Sequence, residues 1–159
     1  MRHNVGGNVL TLQIHRASEA DLDTVAALFD AYRQFYGQPA DFQLAEAFLR
    51  DRFSNYDSVV FLAIDSASRE GIGFVQLYPS FSSVAARRIW ILNDLFVAPS
   101  ARRRGVGRAL LDAAREHAAS TGAKRLILST ATTNREARAL YESYGYNLDE
   151  AFAAYKLEL

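Results

Sequence analysis

Polar and apolar residues alternate over residues 11–16, Thr-Leu-Gln-Ile-His-Arg, with the period-two pattern of a half-buried strand. The period then changes: Leu22, Val25, Ala26, Phe29 and Tyr32 recur three and four apart, the spacing of one helix face. Ser18-Glu-Ala-Asp21 ahead of them has the form of a capping box, and Gly37-Gln-Pro39 closes the helix. A second amphipathic helix is predicted over residues 41–53. Residues 59–64 and 72–78 read as adjacent strands joined by a polar turn over residues 66–71. The strand over residues 88–97 comes next, followed by a helix from 107 to about 121 with Val106, Leu110, Leu111 and Ala114 on one face, spaced to pack on a sheet. An apolar strand over residues 125–130, a helix opening at Asn134 and a last strand beyond it complete the order β-α-α-β-β-β-α-β-α-β, with room for that final strand to be split. This is an α/β (α+β) pattern, read as a single domain over residues 1–159.

Residues 89–97, Ile-Trp-Ile-Leu-Asn-Asp-Leu-Phe-Val, are apolar on both faces, as in a central strand covered from both sides. Asn93 and Asp94 interrupt the run. An unpaired buried carboxylate costs several kcal/mol, on the order of the penalties for stranded polar groups, so Asp94 requires a partner or a task. Two readings fit: the pair ties down a loop or a strand irregularity, or burial raises the Asp94 pKa toward the range useful for proton transfer.

Immediately downstream, Leu95-Phe-Val-Ala-Pro-Ser-Ala-Arg-Arg-Arg-Gly-Val-Gly-Arg-Ala-Leu110 runs from a strand through a proline-marked turn into a basic, glycine-bearing helix start. The first turn of a helix offers unpaired N–H groups and the positive end of its dipole. Gly105 and Gly107 let an oxygen approach the main chain, and Arg102, Arg103, Arg104 and Arg108 add charge. Leu110 stands where a dinucleotide fingerprint needs its third glycine, and the Gly-Lys-Ser/Thr of a Walker loop is missing. A basic, solvated helix start explains the same residues equally well on their own. Arg-x-x-Gly-x-Gly resembles the acyl-CoA pyrophosphate loop of the GNAT superfamily of N-acyltransferases. A second stretch, Asn134-Arg-Glu-Ala-Arg-Ala-Leu-Tyr141-Glu-Ser-Tyr-Gly145-Tyr146, is similar to that superfamily's C-terminal motif, Asn-x-x-Ala-x-x-Leu-Tyr-x-x-x-Gly-Phe, with only the last aromatic changed. The likeness covers roughly residues 58–159 and implies a GNAT-like mixed central sheet of about six to seven strands flanked by about four helices.

The resemblance implies acetyl-CoA as the co-substrate. Backbone groups of Leu95, Phe96 and Val97 then run beside the pantetheine arm. Arg102, Arg103, Arg104, Gly105, Val106, Gly107 and Arg108 hold the pyrophosphate, Asn134 and Ala137 border the lower arm, and Arg138 reaches for phosphate. Tyr141 becomes a candidate catalytic residue, placed near the thioester sulfur in the family; a phenol pKa of about 10 against about 8.5 for a thiol lets it protonate the departing thiolate. Read from the residues alone, Leu140, Tyr141, Tyr144 and Tyr146 are equally core aromatics at a helix end, and Asn134 is equally an N-cap. Some small-amine members carry Glu-Asp where this chain has Asn93-Asp94, and Asn cannot accept a proton, which leaves Asp94, a water chain or another residue as the base. By the same likeness Tyr32, Phe35, Tyr36, Tyr78, Asn93 and the stretch 79–88 line the acceptor site. Their rings suit an ammonium or alkyl amine, and they suit a core as well.

Composition narrows the partners. With no cysteine, disulfides, thiolate metal sites and an acyl-cysteine intermediate are ruled out, so an acetyl group passes directly from thioester to acceptor. His3, His15 and His117 lack metal-ligand spacing and read as surface or tail residues, so no metal is expected. No apolar run is long enough to span a bilayer, and the N-terminus lacks a signal-peptide core, which makes a cytoplasmic protein with no membrane partner the expectation. Net charge is zero, but residues 1–70 hold 6 Lys+Arg against 10 Asp+Glu, and residues 71–159 hold 12 against 8. The basic half contains the proposed phosphate loop, and one basic cluster beside paired glycines suits a compact phosphate better than nucleic acid. The functions in view are an N-acetyltransferase acting on the primary amine of a small molecule, a protein lysine or N-terminal acetyltransferase, and a non-catalytic acyl-CoA sensor. Likeness to Hpa-type and polyamine-type acetyltransferases points to the first, with a homodimer as the assembly that the resemblance implies.

Overall fold

In the computed structural model, which describes residues 10–159, the alternating segment becomes β1 (Leu12–Arg16), antiparallel to β2 (Val59–Asp65). His3 lies outside the described residues. The chain divides into two compact units, Met1–Leu128 and Ser129–Leu159.

In the first unit, the Asp21 carboxylate accepts from the Ser18 N–H at 2.9 Å and a short 3₁₀ turn leads into α1 (Leu22–Phe35). The Asp41 side chain caps α2 (Phe42–Asn55) by accepting from the Leu44 N–H at 3.0 Å. The α1–α2 link is fixed by Asp30, buried in the C-terminal half of α1, whose carboxylate accepts from the Asp41 N–H at 2.9 Å. β3 (Glu70–Ser82) and β4 (Arg87–Val97) form a long antiparallel hairpin, reaching well beyond the strand predicted over residues 72–78. α3 (Val106–Ser120) then returns the chain to β5 (Leu126–Ile127), which runs parallel to β4.

Among the described residues the sheet has five strands in the order β1-β2-β3-β4-β5, fewer than the six to seven implied by the resemblance. The strand expected after α4 is absent, which accounts for the difference, and the one before α4 is shortened to two residues. The strand predicted over residues 125–130 pairs only as Trp90↔Leu126 and Ile91↔Ile127, because β4 carries an irregularity just beyond Ile91 that bends it away from a straight partner. Residues 147–159 contain no strand: alternation such as Tyr-Lys-Leu-Glu-Leu marks a strand only when a neighbour pairs with it, and Leu148, Phe152, Tyr155 and Leu157 remain exposed.

Apolar side chains cover both faces of the hairpin. On one face Val60, Leu62, Phe74 and Phe96 pack with Val25, Leu28 and Phe29 of α1 and with Ala45 and Leu49 of α2. Phe29 and Phe74 meet edge to face with ring centres 6.2 Å apart. On the other face α3 buries Val106, Leu110, Leu111 and Ala114. A Cβ at Gly73 would lie 2.8 Å from the Phe96 carbonyl oxygen and 3.3 Å from Leu110, so this glycine sets how closely α3 approaches β3. His117 differs from its expected surface position. It is half-buried with its ring 4.8 Å from Trp90, and burial together with Arg16 and Arg88 holds its pKa below the ordinary value.

The second unit centres on α4 (Arg135–Tyr144). Asn134 caps it by accepting from the Ala137 N–H at 3.2 Å, and Gly145, at φ +113°, ends it as the Gly145 and Tyr146 N–H groups return to the Tyr141 carbonyl.

Candidate active site

Register explains how a strand that reads apolar on both faces presents an acid. Gln76 pairs with Asp94 and the next residue, Leu77, pairs with Leu92, which leaves Asn93 as the extra residue of a β-bulge. Neighbours on β3 point to opposite faces, so Leu92 and Asp94 do too, although they are two apart in sequence. Leu92 joins the face toward α3. Asp94, with Phe96, turns to the face covered by α1 and α2.

Asp94 is 4% exposed and its carboxylate is held from three sides. Gln76 Nε2 donates to Oδ2 at 2.8 Å, Asn93 Nδ2 donates to Oδ1 at 3.1 Å, and Tyr32 of α1 supplies a third hydrogen bond. Burial raises the Asp94 pKa above the usual carboxylate value, and the three hydrogen bonds oppose the rise without cancelling it. Tyr78 lies two residues beyond Gln76. Its pKa is pushed up to about 12 by burial and by the Asp94 charge, with Asp57 adding and Arg52 opposing. Four of the residues expected around an acceptor or proton acceptor (Tyr32, Tyr78, Asn93 and Asp94) are thus brought together. Sequence reading missed Gln76, yet a lone amide in Ile-Gly-Phe-Val-Gln-Leu-Tyr carries the same signal as Asp94: a polar group inside an apolar strand. Phe35 and Tyr36 end α1 with their rings 5.3 Å apart and are 56% and 48% exposed, available to a ligand rather than sealed in the core.

β4 leads from the acid to the basic loop. Beyond Ile91 no described strand pairs with β4 on its β5 side, so from Asn93 to Val97 that edge keeps backbone groups without a ladder. The strand ends in a turn (Pro99–Ala101), and Arg103, at φ +59°, and Gly105, at φ +81°, adopt left-handed backbone before α3 starts. Gly105 at the N-cap has no side chain to cap α3 and no acidic residue occupies the first turn, so the first N–H groups of a 15-residue helix stand at the positive end of its dipole. Arg103, Arg104 and Arg108 are exposed around it. Arg102 is placed otherwise: its Nε donates to the Val97 carbonyl at 3.0 Å, and its guanidinium lies 5.7 Å from the Phe35 ring and 5.9 Å from that of Phe96. It fastens the end of β4 to α1.

In the second unit Tyr141 is buried, with its ring 5.8 Å from Tyr146, whose pKa is pushed up to about 12 by burial. Arg138 donates to the Thr132 carbonyl at 3.3 Å and lies 3.7 Å from the Glu142 carboxylate.

An open strand edge that runs into an uncapped, basic helix start is what a co-substrate with a peptide-like arm and a pyrophosphate needs. The sequence pattern of the acetyltransferase (GNAT) family matches residues 24–146, and the chain belongs to that family. It is 49% identical over 148 residues to the uncharacterized N-acetyltransferase YhfO of Bacillus subtilis, covering 93% of this chain and 98% of the relative. A crystal structure of a probable acetyltransferase superposes with a TM-score of 0.87 at 41% identity, over 92% of this chain and 97% of the other. The D-amino-acid N-acetyltransferase HPA3 of Saccharomyces cerevisiae is 30% identical over 89 residues, 56% of this chain and 55% of that protein. The protein is therefore a GNAT acetyltransferase, an enzyme of a family whose acetyl donor is generally acetyl-CoA.

Proposed function

We propose that this acetyltransferase moves the acetyl group of acetyl-CoA directly to the primary amine of a small molecule. The observation that carries the co-substrate half is the β4 edge. Leu95, Phe96 and Val97 lie on a strand with no ladder on one side, and the strand ends at the uncapped start of α3. A pantetheine arm has amides that pair with such an edge, and a pyrophosphate suits the N–H groups of Val106, Gly107 and Arg108 with the charges of Arg103, Arg104 and Arg108. With no cysteine in the chain, no acyl-cysteine forms, and the amine attacks the thioester carbon itself.

The attack needs a neutral amine, whereas an alkylammonium with a pKa of about 10 is protonated at neutral pH. Asp94 takes that proton in our reading, because it is a buried carboxylate whose pKa is raised and which the rings of Tyr32 and Tyr78 border. As the C–N bond forms the C–S bond breaks, and the resemblance assigns protonation of the departing sulfur to Tyr141. The half-buried rings beside the acid, and the exposed rings of Phe35 and Tyr36, suit a small ammonium held by cation–π contact. The activity named for the yeast relative, acetylation of a D-amino acid, is of the same kind. The likeness extends the proposal to a cytoplasmic homodimer, whose stoichiometry sedimentation velocity measures.

Release of free thiol from acetyl-CoA, measured across simple amines, polyamines, amino acids of both hands and lysine-bearing peptides, tests the reading. Turnover on small primary amines is expected. Turnover confined to peptides replaces the proposal with protein acetylation, and thermal stabilisation by acetyl-CoA without turnover on any amine replaces it with acyl-CoA sensing.

A further inference from the structure

We propose that Gln76 is a positioning residue for Asp94: its side-chain amide fixes the carboxylate in place and holds it ready to accept a proton. The proposal rests on the reading of Asp94 as the proton acceptor in the transfer.

Gln76 is fully buried in β3, directly across the sheet from Asp94, and donates through Nε2 to Oδ2 at 2.8 Å. Its Oε1 is also buried and meets no hydrogen-bond donor among the described residues. A glutamine kept only to fill the strand does so at a cost, because Met has the same reach and leaves no stranded oxygen. The amide is therefore retained for what its other end does. Three polar groups, Gln76 from β3, Tyr32 from α1 and Asn93 from β4 itself, hydrogen-bond to the carboxylate. Tyr78 stands in the Asp94 field from β3, and Arg52 of α2 and Asp57 act on Tyr78. An ionised carboxylate accepts from every donor at once, whereas a protonated one turns an O–H toward one of them. Asn93 is exposed, so water substitutes for its amide. No solvent reaches the Gln76 position, which makes that donor the one the site cannot replace.

The test replaces Gln76 by Met and reads Asp94 directly, through the pH dependence of its carboxyl stretch in difference infrared spectra, with Asp94→Asn as the blank. Loss of a hydrogen bond to a charged group is expected to move the Asp94 midpoint up by about one pH unit. The acidic limb of kcat/KM should rise by the same amount, while at pH values above the midpoint the melting temperature should fall, because the ionised carboxylate has lost a donor, with removal of the stranded oxygen offsetting part of the loss. An unmoved carboxyl midpoint overturns the proposal. Gln76→Glu gives an independent reading should the Met variant not fold, since a second carboxyl in that place is expected to raise the midpoint further, and no rise again overturns the assignment. A carboxyl midpoint that moves while the kcat/KM limb stays still supports the hold of Gln76 on Asp94 and removes Asp94 from the role of proton acceptor.

Discussion

The middle of β4 and its C-terminal end serve opposite chemistries by opposite means. At the middle, a one-residue bulge turns Asp94 into a closed environment where each oxygen is met by a named side chain. At the end, the chain opens into an exposed turn that combines backbone N–H groups with arginine charge, with φ-positive Arg103 and Gly105 ahead of the helix start. A buried carboxylate is useful for proton transfer because its charge is costly, which requires partners from α1, β3 and β4 together. An anion site gains from being wet, local and positively charged, and one short segment supplies it. The first is accordingly sensitive to single atoms, and the second to shape and total charge.

The sharpest way to break this contrast is Asp94→Asn, which keeps the shape and removes the ability to take a proton. A fall in kcat/KM on the order of 10³-fold at acidic pH, where free amine is scarce, is expected, narrowing as pH rises, with little change in melting temperature. If the variant instead melts well below wild type while keeping its turnover per folded molecule, the acid is a structural hydrogen-bonding residue. Tyr141→Phe, in the second unit, asks whether single-atom sensitivity extends to the leaving group. Removing the hydroxyl should lower kcat on the order of 10²-fold with acetyl-CoA affinity nearly unchanged, and an unchanged kcat assigns the ring to packing.

The loop end responds to bulk. Acetyl-CoA at a hundredfold excess over its Kd should raise the melting temperature by roughly 5–10 °C, whereas ATP and NAD at the same concentration should not. Gly107→Val should abolish the shift and leave the unliganded melt intact; equal stabilisation by all three ligands would reduce the loop to a general anion site. The smallest expected effect concerns pH and stability. Because the folded-state pKa of Asp94 is raised, the folded protein binds its proton more tightly than the unfolded chain does. The stability contributed is fully present below the unfolded carboxylate pKa of about 4 and is lost as pH rises through the folded value. Calorimetry across that window should show a decline in wild type that Asp94→Asn lacks.

How much of this was legible in the chain follows from how local each cause is. The 3.6-residue spacing over Leu22–Tyr32, the capping box at Ser18 and Asp21, the cap at Asn134, and the glycine-bearing start of α3 are set within a few residues, and the elements formed where those signals stand. The polar interruption at Asn93 and Asp94 was legible as well, with a strand irregularity among the readings it left open. Extended segments were less legible. β3 outran its apolar core because pairing with β4 continued through Pro79 to Ser82, and residues 125–130 and 147–159 yielded little strand because pairing was missing. Arg102 read as one of four phosphate-loop cations, yet contact with Phe35, Phe96 and the Val97 carbonyl drew it to the sheet.

The sequence by itself therefore determined the helices, their caps, the basic loop and the presence of an acid within a central strand, since each depends on backbone preferences and spacing inside one segment. Only the tertiary structure decided which face that acid occupies and what holds it. A one-residue bulge reverses the alternation of β4, and the partners it then meets, Tyr32 and Gln76, come from segments distant in the chain that are brought together when the sheet pairs and α1 packs on it.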